Sequence, residues 1–147
     1  MRGRLHGRLA IAGLFLLVGG ALPDRAEEGS ELSGRVSRAF ASGSASTLAD
    51  LFPADRKVAV TLDHIADLRG FVGAGPLVEA MRRYLDARSE VRFDAAPPPP
   101  GGHGASPRVK GTLVSRDRSG QKERVGLVFV FERIDGAWRA VEVRETG

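Results

Sequence analysis

The stretch from Val125 to Val143 constrains this chain more than any other part of it. Two runs of β-branched and aromatic residues flank Asp135-Gly136. That dipeptide is a strong sign of a two-residue hairpin, because both turn positions must take positive φ. A two-residue turn sets Ile134 opposite Ala137, Glu132 opposite Arg139 and Val130 opposite Val141. The charge match of Glu132 with Arg139 supports this register. One face then carries Val128, Val130, Val141 and Val143. The other carries Leu127, Phe129, Phe131, Trp138 and Ala140, with Glu142 and Arg144 towards its end. A ribbon apolar on both sides needs cover on both. Helices would shield one flank, and a further layer or a second copy of the chain the other.

The N-terminus predicts export. Arg2, Arg4 and Arg8 precede an apolar run from Leu9 to Val18, and Gly19-Gly20-Ala21 follows. A basic start, a short apolar core and small residues at its end describe a secretory signal peptide. The run falls short of the roughly 20 apolar residues that span a bilayer. Cleavage is expected after Ala21, with Ala26 as a second position. Removing residues 1–21 leaves 19 basic against 18 acidic residues, so the mature chain is nearly neutral. The cations visible as neighbours, Arg82-Arg83 and Arg116 with Arg118, have acids beside them. Nothing here predicts nucleic-acid binding, nor membrane attachment after cleavage. The chain has no cysteine, which excludes disulfides, thiol nucleophiles and thiolate metal sites. Its stability must come from a core, and about 126 mature residues are enough for one domain.

Residues 22–29 read as a polar leader. From Ser30, a suitable N-cap, Leu32, Val36, Ala39 and Phe40 recur at helical spacing, and Gly43 can close the helix in the left-handed region. A short helix is expected over Thr47–Leu51, stopped by Pro53. Strands are expected at Val58–Leu62 and Leu68–Val72. Gly75-Pro76 then opens the best helix, with Leu77, Ala80, Met81, Tyr84 and Leu85 along one stripe and Glu79 four residues ahead of Arg83 on the wet face. Strands follow at Glu90–Ala95, Arg108–Arg116, Glu123–Arg133 and Trp138–Arg144. The Pro/Gly-rich loop at 96–107 separates the first two of these.

The order of elements is α+β. The segment Ala39-Phe40-Ala41-Ser42-Gly43-Ser44-Ala45-Ser46-Thr47-Leu48-Ala49-Asp50-Leu51-Phe52, with its helix, Gly turn and second short helix, resembles the opening of the nuclear transport factor 2-like superfamily. Asp135-Gly136-Ala137-Trp138-Arg139 resembles that superfamily's closing hairpin. Phe71-Val72-Gly73 ahead of the Pro76 helix, followed by Val91-Arg92-Phe93, is similar to exported bacterial members of unknown function. The resemblance covers residues 30–145. It implies a cone, in which a curved antiparallel sheet wraps a long helix behind N-terminal helices. The superfamily holds isomerases, dehydratases, polyketide cyclases and non-enzymatic binding modules, so the fold by itself assigns no activity.

Three residues are candidates for chemistry inside such a cone. His64 lies beside Asp63 and Asp67, and a carboxylate could orient its imidazole as a general base. The plainer reading is a solvated loop after a strand. Tyr84 could turn its hydroxyl into a cavity, or be a core aromatic whose hydroxyl reaches the rim. Glu142 falls on the phenylalanine face, where an apolar pocket would raise its pKa and Arg144 could hold an anion; the plainer reading is an exposed strand end. Asp63, His64 and Asp67 are too few for a metal site without a distant histidine, and His103 lies in the Pro/Gly loop. The tetraproline run Pro97-Pro98-Pro99-Pro100 could dock a partner as polyproline II, against the plainer reading of a flexible loop. Trp138 could serve core packing or a homodimer contact. No cofactor or metal is expected. The expected role is that of an exported, non-enzymatic domain that binds a small apolar ligand or a protein partner, or pairs with itself through its sheet. The alternative is a small isomerase- or dehydratase-like enzyme using Glu142, Tyr84 or His64.

Overall fold

The computed structural model describes residues 25–98 and 106–147. The expected signal segment at 1–21, the start of the leader, and Pro99, Pro100 and His103 in the Pro/Gly loop lie outside the described residues. Three helices precede or interrupt six strands: α1 (Arg25–Ser42), α2 (Ala45–Ala49), β1 (Val58–Leu62), β2 (Leu68–Val72), α3 (Ala74–Asp86), β3 (Ser89–Ala95), β4 (Arg108–Arg116), β5 (Lys122–Ile134) and β6 (Ala137–Thr146).

Local signals account for most of these bounds. Gly43 takes φ of 61°, which closes α1 in the left-handed region. Leu32, Val36, Ala39 and Phe40 are all buried, as their spacing predicts. α1 starts earlier than expected: it already includes Arg25, so Ser30 is an interior residue and not a cap. Ala26, Glu27 and Glu28 are good helix formers that carry the helix back through the supposed leader. α2 also starts two residues early. Ser44 is its cap, with its side-chain oxygen accepting from the Thr47 N–H. Along α3, Glu79 pairs with Arg83 at 3.5 Å on the wet face, while Leu77, Val78, Met81, Tyr84 and Leu85 are buried.

The sheet runs β2-β1-β6-β5-β4-β3. All its pairings are antiparallel except β1 with β6, which is parallel, so the expected all-antiparallel sheet is mixed at one seam. The sheet is curved and unclosed, and the helices pack on its inner face. There Phe40 of α1 stacks on Phe93 of β3 at 5.7 Å, and both meet Phe129 of β5 edge-on at 6.0 Å. Such aromatic contacts add to the gain from burial alone. Arg35 ties the layers together by donating to the carbonyl oxygens of Trp138 at 2.9 Å and Asp50 at 3.0 Å.

The closing hairpin forms as read at its tip. Asp135 and Gly136 both have positive φ, and Ile134, Arg133, Glu132 and Phe131 pair with Ala137, Trp138, Arg139 and Ala140. Beyond that point the register shifts. Val130 pairs with Glu142 and Phe129 with Val143, leaving Val141 as the extra residue of a β-bulge. One added residue exchanges the faces of everything after it. Val143 therefore joins the core, fully buried, and Glu142 and Arg144 move to the outer face. This corrects the placement of Glu142 on the phenylalanine face.

Both faces of the ribbon are nonetheless shielded. Leu127, Phe129 and Phe131 are fully buried inside, and the outward Val128 and Val130 are 5% and 8% exposed. In the ladder Val128 lies between Lys110 and Arg144, Val130 between Arg108 and Glu142, and the buried Val114 between Arg92 and Arg124. Each outward valine is thus flanked by long charged side chains, whose stems suit an apolar neighbour while their heads stay in water. Trp138 is half-buried against the core, with the Arg133 guanidinium 5.1 Å from its ring centre.

Candidate functional site

The polar side chains of the inner face collect at one open end of the cone. Four elements meet there: the β1–β2 turn, the C-terminal end of α3, the start of β5 and the end of β6. The bulge at Val141 is what brings β6 into the group, because it turns Glu145 inward opposite Leu127.

Glu145 grips the β1–β2 turn. Its Oε1 accepts the N–H groups of His64 at 2.8 Å and Ile65 at 2.9 Å, and its Oε2 lies 2.7 Å from Nδ1 of His64. The carboxylate side chain is only 8% exposed, whereas that of His64 is 81% exposed. The arrangement is a buried anion tying down a turn, with an imidazole as its outer lid. The hydrogen bond that His64 donates to Glu145, then the charge of Glu145, raises the His64 pKa above the usual histidine value. Asp63 does not orient the imidazole; it forms a two-point pair with Arg69, at 2.7 and 2.8 Å. The expected Asp63–His64–Asp67 grouping is therefore replaced by His64–Glu145.

The second cluster centres on Glu123. Its Oε2 accepts from Arg88 Nε at 3.0 Å and Nη2 at 2.8 Å, and from the Tyr84 hydroxyl at 3.3 Å. The Arg88 guanidinium lies over the Tyr84 ring, 3.6 Å from its centre, a cation–π contact. Tyr84 is the rim aromatic of the plainer reading: its ring is buried and its hydroxyl reaches the edge. Burial pushes its pKa above the usual tyrosine value, against the opposing effects of Ser115 and of the Arg88 charge. Ser115 is itself 1% exposed, and its Oγ has no well-oriented hydrogen-bond partner among the described residues.

An open cleft of about 560 Å³ joins the two clusters, with His64, Tyr84, Arg88, Glu123 and Glu145 among its walls. The structure thus brings Tyr84 and His64 to one place and leaves Glu142 out. Glu142 is on the outer face, 3.8 Å from Arg144, and its side chain is 40% exposed. Glu142 does not line this cleft, and Arg144 lines a separate groove on the outer face beside Val128 and Pro98. Glu123, Glu145, Arg88 and Ser115 escaped the sequence reading. Strand alternation could have paired Ser115 with Glu123, but Glu145 faces inward only because of a bulge that no local motif announces. Chemically, the cleft offers hydrogen bonds and fixed charges whose acids already have partners.

No protein-family model matches the sequence, and no curated protein matches it. Solved structures do match in shape. A substituted form of a protein named Rd1NTF2_05 superposes with a TM-score of 0.64 at 16% identity, covering 84% of this chain and 100% of that one. An NTF-2-like protein of unknown function from Shewanella oneidensis MR-1 gives 0.60 at 11% identity, covering 80% of this chain and 95% of that one. An NTF2-like protein of unknown function from Exiguobacterium sp. 255-15 gives 0.57 at 15% identity, covering 78% and 96%. At such identities the likeness concerns fold, and on that ground this chain has the nuclear transport factor 2-like cone.

Proposed function

We propose that this chain is an exported, non-catalytic binding module of the nuclear transport factor 2-like fold, taking a small polar ligand at the mouth of its cone. The observation that carries the reading is the division between interior and mouth. Phe40, Phe93, Phe129, Phe131, Leu77 and Met81 fill the interior, while the polar groups gather in the open cleft beside His64 and Tyr84. Buried apolar side chains line the interior while the cleft walls carry polar groups, which favours a polar ligand at the mouth over the apolar one expected from sequence. The enzyme alternative needs an ionisable group held inside the cone and free to exchange a proton with substrate. Glu142 faces outward, Glu145 is committed to two backbone amides and an imidazole, and Glu123 to Arg88 and Tyr84.

Export rests on the basic and apolar N-terminus. Cleavage after Ala21 leaves α1 whole, whereas cleavage after Ala26 removes its first two residues. N-terminal sequencing of the secreted protein is expected to begin at Leu22. A chain retained in the cytoplasm with Met1 in place overturns export. Pairing through the outer sheet face would set Lys110, Arg108 and Arg144 against their own copies, which costs energy by like-charge repulsion. Light scattering is expected to report a monomer.

The ligand reading is tested by titrating ¹⁵N-labelled protein with glutamate, succinate and glycine betaine. Amide shifts centred on His64, Val125 and Gly126 are expected for at least one of them. Shifts confined to residues of the filled interior, or turnover of a ketosteroid or hydroxy-acid substrate that is lost in Tyr84→Phe, overturn it.

A further inference from the structure

We infer that the outer face of the sheet binds an acidic polysaccharide. This inference is independent of the cleft at the cone mouth. It starts from strand alternation. Along β4 the outward positions include Arg108 and Lys110, and the ladder sets Lys110 in line with Val128, Arg144, Thr61 and Arg69. Arg124, opposite Val114, extends the same face. All of these cations are exposed. The nearly neutral charge of the mature chain hides them, because Glu123 and Glu145, two of the acids that balance them, point the other way, into the cone, while Asp94 and Glu142 share the outer face.

Of the cations on this face, four have acidic neighbours: Arg69 with Asp63, Arg92 with Asp94, Arg116 with Glu90, and Arg144 with Glu142 at 3.8 Å. Arg108, Lys110 and Arg124 form no ion pair among the described residues. Their spacing is set by the sheet. Arg108 and Lys110 are about 7 Å apart along the strand, and Lys110 and Arg144 about 10 Å apart across two strand spacings. An open groove of about 280 Å³ runs past Arg108, Lys110, Val128 and Arg144. Gly29 and Ser33 of α1 and Pro97 and Pro98 of the loop after β3 form its other wall. A repeating anion laid over the face meets several cations in succession, and the potentials sum.

The chemistry of the face selects among anionic partners. Single-stranded nucleic acid needs aromatic platforms for its bases, and the outward positions of β4, β5 and β6 carry valines, threonines and charges instead. An anionic bilayer is gripped best when an apolar side chain enters it beside the cations. Phe71, 76% exposed, is the large apolar side chain free to do so among the described residues; it shares this face with Arg69 on β2, but lies four strands away from Arg108 and Lys110 on β4, the cations without an acidic partner. A chain of carboxylate- or sulfate-bearing sugars needs neither device.

The test uses the full chain and a fluorescent heparin oligosaccharide, read by anisotropy. Binding is expected at about 0.05 M salt and to weaken steeply by about 0.5 M, as screening shortens the reach of the charges. Arg108→Glu with Lys110→Glu is expected to weaken it by about tenfold or more. Arg82→Glu with Arg83→Glu, a reversal of equal size on α3, is expected to leave it within about twofold. Because both variants keep the basic N-terminus, its contribution cancels in the comparison. Equal losses from the two pairs would mean attraction to net charge alone and would overturn the inference. So would tighter binding to single-stranded DNA, binding only to phosphatidylglycerol vesicles, or no binding to heparin at low salt.

Discussion

Val130 stands opposite Glu142 across the β5–β6 ladder, and Val141 has no partner of its own. That one pairing sends Glu142 to solvent and turns Val143 and Glu145 inward. It decides which acid anchors the structure.

The two glutamates should therefore respond differently to substitution. Glu142→Gln is expected to change unfolding stability by less than about 0.5 kcal/mol, as for an ordinary surface residue. Glu145→Ala removes the acceptor for two backbone amides and an imidazole, and is expected to cost about 1–3 kcal/mol. Urea denaturation of both variants measures the difference. Equal effects would place Glu145 in solvent.

The His64–Glu145 pair makes stability depend on pH. The folded-state pKa of His64 lies above its unfolded value of 6.5, chiefly because of the hydrogen bond it donates to Glu145. The protonated form is favoured by folding, so this contribution is complete below the unfolded pKa and disappears as pH rises through the folded one. Asp117 works in the opposite sense. The Ser119 hydroxyl and the Gln121 N–H hold its pKa below 3.8, so its contribution is present above that value and is lost as pH falls through the folded pKa. His64→Gln is expected to flatten the wild-type loss of stability across and above neutral pH. An NMR titration of the His64 ring should show a midpoint above 6.5. A midpoint below that value would contradict the pair.

Two strand glycines are expected to differ in tolerance to alanine. A Cβ on Gly111 would sit 2.6 Å from the Asp94 carbonyl oxygen and 2.5 Å from the Phe93 ring, so backbone and core would both have to move. A Cβ on Gly126 would meet chiefly the Thr146 hydroxyl, which can rotate away. Gly111→Ala is expected to cost about 1–3 kcal/mol, the usual range for overpacking, and Gly126→Ala clearly less. Thermal melts of the pair decide it.

Phe129 touches both other rings of the aromatic cluster and is fully buried. Phe129→Ala is expected to lower stability by about 3–5 kcal/mol, the cost of lost burial plus a cavity. For a domain of this size that is a large part of the total, and the variant should show a much lower urea midpoint or fail to accumulate.

Much of the architecture was legible because it depends on short-range chemistry. Asp135-Gly136 specifies its turn through φ, Gly43 ends α1 in the same way, and the strands β1, β2 and β4 coincide with their apolar and β-branched runs. Helix starts were less legible: Ser30 had the right side chain for a cap, but Ala26, Glu27 and Glu28 extend the helix past it. Of the site, His64 and Tyr84 stood out by residue type. Their partners did not, since Glu145 is 81 positions from His64 and Glu123 is 39 from Tyr84.

The amino-acid sequence by itself determined the order of helices and strands, the hairpin tip and the apolar surfaces that had to be covered, because each follows from backbone preference and periodicity within a few residues. Only the tertiary structure decided which face each charge occupies. A bulge adds one residue to a strand whose side chains alternate every two, and it lies where β6 begins to pair with β1 as well as β5, an arrangement that no segment of the chain contains alone.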